Sequence, residues 1–97
     1  MPRCIVLHPT DNVATLIDTA RAGDDCVLQG ERQGQIRLLQ DVAFGHKICI
    51  AEVRQGGEIL KYGQVIGRAT RSITVGEHAH VQNIDSARAR GDLAEGR

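Results

Sequence analysis

Four short segments of this chain gather the side chains that bind metals, move protons or hold anions. The last of them, Gly76-Glu77-His78-Ala79-His80-Val81-Gln82-Asn83, carries two of the four histidines, two residues apart. On a strand, residues i and i+2 point to one face, so both imidazoles can reach one metal ion. Two imidazoles are an incomplete ligand set, and a third ligand must come from His46, His8, Asp11, Glu77 or a partner chain. The plain alternative is a pair of surface histidines, because an H-x-H spacing alone has little specificity.

The other three segments offer complementary chemistry. In Gly45-His46-Lys47 the glycine leaves space at the mouth of a strand. Lys47 suits contact with an anion or carboxylate, and His46 suits proton transfer; a polar strand start is the simpler account. In Lys61-Tyr62-Gly63 the first two side chains alternate faces if the segment is extended. Tyr62, the single tyrosine, can then orient a substrate hydroxyl; otherwise Lys61 is solvated and the ring covers a sheet. In His8-Pro9-Thr10-Asp11-Asn12, the side chains of Asp11 and Asn12 fit a helix cap. Free amides at that helix start, with a protonated His8 beside them, would make a modest anion site. There is no Ser-His-Asp arrangement, Walker loop or G-x-G-x-x-G fingerprint.

Composition limits what these groups can serve. Ninety-seven residues make one domain, too small to enclose a deep catalytic cleft alone. Aromatics are 2% of the chain, Phe44 and Tyr62, so the core must be aliphatic and no base-stacking platform exists. Formal net charge is zero with both signs scattered, which disfavours nucleic acid and anionic membranes as partners. Cys4, Cys26 and Cys49 are far apart and form no C-x-x-C pair. They read as free thiols of a cytoplasmic protein, with Cys49 a small buried residue in an apolar run. The apolar patch from Cys4 to Leu7 is too short for a signal or a membrane span.

The elements that must position these groups are short. Cys4 to Leu7 reads as a strand. Val13, Leu16, Ile17 and Ala20 then recur at i, i+3, i+4 and i+7, which predicts a helix capped by Thr10 or Asp11 and stopped by Gly23. From Cys26 onward the pattern is β-like: 26–28, 36–39, 46–53, 58–62, 65–69, 72–75 and 79–84, punctuated by glycines. One N-terminal helix with many short strands predicts a β-rich α+β domain over residues 1–85. Residues 86–97 read as a charged, flexible C-terminal tail.

Taken in order, His8-x-x-Asp11-Asn12-Val13-Ala14, Gly45-His46-Lys47-Ile48-x-Ile50, Ile59-Leu60-Lys61-Tyr62-Gly63-x-x-Ile66-Gly67 and Gly76-Glu77-His78-x-His80-x-x-Asn83 resemble one known pattern. The chain is similar, over about residues 4 to 85, to the small N-terminal domain of the altronate and galactarate dehydratase family. It also resembles the small subunit of sulfolactate sulfo-lyase. The resemblance implies an SAF-type β-clip fold of short, twisted strands. It implies a small subunit of a hydroxy-acid lyase, working with a large catalytic dehydratase-like subunit on a small hydroxy acid or sugar acid. It also implies a divalent metal, iron or manganese. By the same resemblance His46, Lys47, Lys61, Tyr62, His78, His80 and Asn83 lie at or near the shared site. The expected roles are catalysis for His46, Lys47, Lys61 and Tyr62, substrate contact for His8, Asp11, Asn12 and Asn83, and metal binding for His78 and His80. The family often reads H-x-H-x-H-N at the last motif; Gln82 stands here where its third histidine would be. The competing expectation is a non-catalytic module that binds a sugar acid or metal, or serves assembly.

If His78 and His80 build a site, changing both to alanine abolishes binding of a divalent metal while the melting temperature stays nearly constant. A large loss of stability would make them structural instead. Metal titration and a thermal melt on the same variant check this.

Overall fold

The structure is a computed structural model that describes residues 1–86. Those residues form nine strands: β1 (Arg3–Val6), β2 (Val13–Leu16), β3 (Asp25–Gly30), β4 (Gly34–Arg37), β5 (Lys47–Cys49), β6 (Glu58–Lys61), β7 (Gln64–Ala69), β8 (His78–Ala79) and β9 (Ile84–Ser86). Six of them make a curled sheet in the order β4-β3-β1-β2-β5-β8, and three make a second sheet, β6-β7-β9. All pairings are antiparallel except β1 with β3. The domain boundary expected after Asp85 falls inside β9, and the tail expected beyond it lies outside the described residues from position 87 on.

Register explains the core. Residues directly opposite on paired strands face the same side of a sheet. The pairs Cys4–Leu16 and Ala14–Ile48 face one side, where they pack with Cys26, Leu28, Leu38 and Val42. The pairs Val13–Cys49 and Lys47–Ala79 face the other side. There Val13, Cys49 and Ala79 pack with Ile59 and Ala69 of the second sheet and with Ile73. Both cores are aliphatic, as the shortage of aromatics requires. The three thiols are free and buried, and burial pushes the Cys49 thiol up to about 11.

The expected N-terminal helix is not there, and the described residues contain no helix. Val13 to Leu16 is instead strand β2, sandwiched between β1 and β5. Its two faces feed two different cores: Ala14 and Leu16 the first, Val13 the second. A strand apolar on both faces shows no period of two, so its spacing can mimic a helical stripe by chance. Ala20, the last member of that stripe, makes an isolated bridge with Val42. Among the described residues the fold is therefore β-rich without the α component.

The would-be helix cap does different work. Lys61 pairs with Gln64 across a two-residue hairpin, in which Tyr62 (φ 58°) and Gly63 (φ 73°) are both left-handed. This is the turn geometry that matches strand twist but disfavours any residue with a β-carbon. Asp11, 1% exposed, holds it: its carboxylate accepts the amides of Tyr62 and Gly63, each at 2.8 Å. Asn12 continues the seam. It donates to the Glu58 carbonyl at 2.9 Å and accepts from the Leu60 amide at 2.8 Å. His8 packs flat on the same turn, where a β-carbon at Gly63 would come within 2.9 Å of its ring.

Replacing Asp11 by alanine leaves two backbone donors without their charged acceptor. The expected cost is about 2 kcal/mol, a fall in melting temperature of roughly 8–16 °C for a domain this size. Thermal denaturation of Asp11→Ala measures it.

Candidate metal centre

Three imidazoles meet beside β5 and β8. His78 opens β8, and its neighbour Ala79 pairs with Lys47 of β5. His46 stands just before β5, on a turn that Gly45 completes with φ 85°. That turn is tied to β2: Gly45 donates to the Leu16 carbonyl and Leu16 donates to the His46 carbonyl, both at 2.8 Å. His80 follows β8 in a tight turn. Of the third ligands that spacing left open, His46 is the one brought to the pair.

The rings are close. His46 Nδ1 and His78 Nε2 are 2.9 Å apart, and one nitrogen from each of the three rings lies within 4.8 Å of the others. Ring centroids are 4.7–5.4 Å apart. A 2.9 Å nitrogen–nitrogen contact needs one ring to donate and the other to accept, so the pair cannot be fully protonated. Burial, followed by the charges of His46, His80 and Lys47, holds His78 below the usual histidine range. Neutral imidazoles are what a metal requires. Nitrogens bound to one tetrahedral ion stand about 3.3 Å apart, so His46 and His78 are already close to that spacing. A modest movement of His80 completes a three-nitrogen face with room for a further ligand, and imidazole donors suit zinc, iron, copper or nickel.

Asn83 sets this loop. It is fully buried; its side chain accepts from the His80 amide and donates to the His78 carbonyl, both at 2.9 Å. Its carbonyl accepts from Thr70, its amide donates to the His80 carbonyl, and so both ends of the H-x-H segment are fixed from one residue. Gln82 donates to the His78 carbonyl at 3.1 Å and sits 3.5 Å from His78 Nδ1, beside the ring rather than in the nitrogen cluster. Gln40 accepts from the His78 amide at 2.8 Å; nothing in the sequence singled it out, because its partner lies 38 residues away. Glu77 is spent on Arg71 and the Thr74 amide.

The remaining predicted site residues divide into groups. Lys47 lies beside the rings on the face toward the second sheet, and burial together with the charge of Lys61 lowers its pKa. Tyr62 is 70% exposed at the hairpin tip. Asp11, Asn12 and Asn83 give their side-chain atoms to backbone groups, and His8 gives its Nδ1 to Thr10 at 2.9 Å. Two hollows flank the imidazoles. One, of about 360 Å³, reaches His46 and His78 beside Arg21 and Asp41; the other, of about 250 Å³, joins His80 to Lys47. A larger hollow of about 450 Å³ beside β3 and β4 has no titratable side chain in its lining.

The chain is thus a curled all-β module with an imidazole cluster at the β5–β8 edge of its six-stranded sheet. Residues 2–87 match the altronate/galactarate dehydratase SAF domain, and the chain belongs to that family. It is 34% identical over 79 residues to altronate dehydratase of Escherichia coli, covering 81% of this chain and 15% of that enzyme. Against altronate dehydratase of Bacillus subtilis the identity is 34% over 83 residues, covering 86% of this chain and 16% of that enzyme. It is also homologous to the (2R)-sulfolactate sulfo-lyase subunit alpha of Chromohalobacter salexigens. There the identity is 30% over 88 residues, covering 86% of this chain and 94% of that subunit. The chain thus spans about a sixth of the dehydratases and nearly all of the lyase subunit. No helix among the described residues is long and apolar enough to cross a membrane.

His78 gives a stability test with a defined sign. Its folded pKa lies below the unfolded value of 6.5, so its contribution is fully present above that pH. As pH falls below 6.5, the unfolded chain takes up the proton first and the contribution is lost. Melting temperature therefore declines on acidification below about pH 6.5, and His78→Gln flattens that part of the profile.

Proposed function

We propose that this chain is the small subunit, or the equivalent part, of a hydroxy-acid lyase of the altronate/galactarate dehydratase or sulfolactate sulfo-lyase kind. It holds a divalent metal on His46, His78 and His80 and contributes that centre to a site completed by a large catalytic polypeptide. The observation that carries the reading is the convergence of three half-buried imidazoles with nitrogens within 4.8 Å. The near full-length match to a lyase subunit supports the two-part assembly.

The residues suit an elimination. Removing water or sulfite from a 2-hydroxy acid that carries a hydroxyl or sulfo group on C3 takes the weakly acidic proton next to the carboxylate and expels the C3 group as the double bond forms, which is feasible only when developing negative charge is stabilised. A bound divalent ion would supply Lewis acidity toward the substrate's oxygens. Lys47, with its lowered pKa, is suited to hold or release a proton nearer neutrality than an exposed lysine. The three rings fix their own orientation through the His46–His78 contact and the Asn83 loop. Shallow hollows on both sides leave the substrate half open, and a larger polypeptide must cover it to exclude water.

Co-purification of the tagged chain from native extract, with metal analysis and mass spectrometry, tests the reading. The expected outcome is a stoichiometric large dehydratase-like polypeptide, one divalent ion per chain, and elimination activity lost in His46→Ala or His78→Ala. Recovery of the chain alone, free of metal, would overturn it in favour of an assembly or binding module.

A further inference from the structure

One of the two hollows that flank the imidazoles is built on a strip of four consecutive residues, each with a fastening of its own. The Gln40 side-chain oxygen accepts the His78 amide at 2.8 Å. Asp41 Oδ1 accepts the Ala22 amide at 2.9 Å. Val42 and Ala20 exchange both backbone hydrogen bonds, at 2.8 and 2.9 Å, and the Ala43 carbonyl accepts the His46 amide at 3.0 Å. The strip therefore ties the loop through Ala20 and Ala22 to the two segments that carry His46 and His78. A hollow with walls fixed in this way needs little ordering to receive a ligand.

The polar lining of this hollow, of about 360 Å³, joins His46 and His78 to Arg21, Asp41 and Thr19. Arg21 and Asp41 are exposed and Thr19 is half-buried, so solutes reach all three. The two charges are not spent on each other, because the ion pairs among the described residues belong to Arg3, Arg37, Arg68 and Arg71. Arg32 and Arg54 also stand outside those pairs, but neither lines a hollow with the imidazoles. The Ala22 amide takes one oxygen of Asp41, which leaves the other as an acceptor. A guanidinium presents a fork of donors that matches a carboxylate. A carboxylate in the same hollow repels a bare anion and accepts from a hydroxyl. Together they favour a molecule that carries both an acid group and hydroxyls over an inorganic ion or a simple acid. The volume falls at the lower end of small-molecule pockets, on the order of 300–1,000 Å³, which suits a short hydroxylated chain.

We propose that Arg21, Asp41 and Thr19 form a recognition pocket for a hydroxylated carboxylate, in which Arg21 receives the acid group while Asp41 and Thr19 take the neighbouring hydroxyls. The pocket deepens the lyase reading by naming the chemistry at the end of the substrate away from the imidazoles, and it rests on that reading for its biological ligand alone. Arg21 and Asp41 are then specificity residues: one demands a charge, the other demands hydroxyl donors beside it.

The test is a nuclear magnetic resonance titration of the metal-free full chain with tartrate, a dihydroxy diacid. Succinate, the same diacid without hydroxyls, and threitol, the same chain without acid groups, are the comparisons. Tartrate is expected to shift the amides of Thr19, Arg21, Ala22 and Asp41 saturably with millimolar affinity, and succinate and threitol to bind at least about tenfold more weakly. Arg21→Gln should weaken tartrate binding about tenfold, and Arg21→Lys should lose less because the charge remains. Asp41→Asn, which keeps an acceptor for the Ala22 amide, should narrow the preference for tartrate over succinate. Arg32→Gln removes the same charge from the β3–β4 turn and should leave binding unchanged. Absence of saturation by about 50 mM, equal affinity for tartrate and succinate, or equal losses in folded Arg21→Gln and Arg32→Gln overturns the proposal. A zinc titration without acid separates the two readings. Zinc bound without tartrate binding sinks the pocket alone, and tartrate bound without zinc binding sinks the metal centre alone.

Discussion

The joining of the two sheets hangs on one buried carboxylate. Asp11 reaches across from the segment before β2 to the Tyr62–Gly63 turn and accepts both of its amides. Those amides belong to a turn that is costly for tyrosine, and the charged acceptor offsets that cost. Asn12, the next residue, mimics a peptide group and extends the join along β6. The two sheets are thereby set in one relative position. The face of β5 that carries Lys47, the core beneath it and the cleft toward Ile66 all follow from that position.

The imidazole cluster depends on a different kind of constraint. Its rings come from two places in the chain that β5–β8 pairing joins. Asn83 then folds the chain back, so His78 and His80 project from a short, hydrogen-bonded turn and not from a long strand. Of the three rings, His78 is held below the usual histidine range, first by its burial and then by the charges around it, Lys47 among them.

Much of this was legible from residue types. The H-x-H pair, the candidacy of His46 and the aliphatic core needed only spacing and composition. The glycines marked where the strands break, and the structure puts Gly45 and Gly63 at left-handed turns there. The strand β2 was not legible, since Val13, Ala14 and Leu16 feed two cores and leave no polar face to reveal the period. Asp11 was misread for a related reason. A carboxylate next to threonine looks the same whether it accepts amides from the next turn of a helix or from a hairpin 51 residues away.

The placement of β8 at the end of the six-strand order has a consequence in time. It is the outermost strand on its side, only two residues long, and it comes near the end of the described chain. A chain leaving the ribosome can lay down β1 to β5 and still have one imidazole of the three. The cluster exists only when His78 and His80 emerge and the edge closes onto β5. An ion bound by the proposed centre would therefore be taken up only after synthesis of the domain is almost finished, and its identity would reflect the compartment in which that last strand docks.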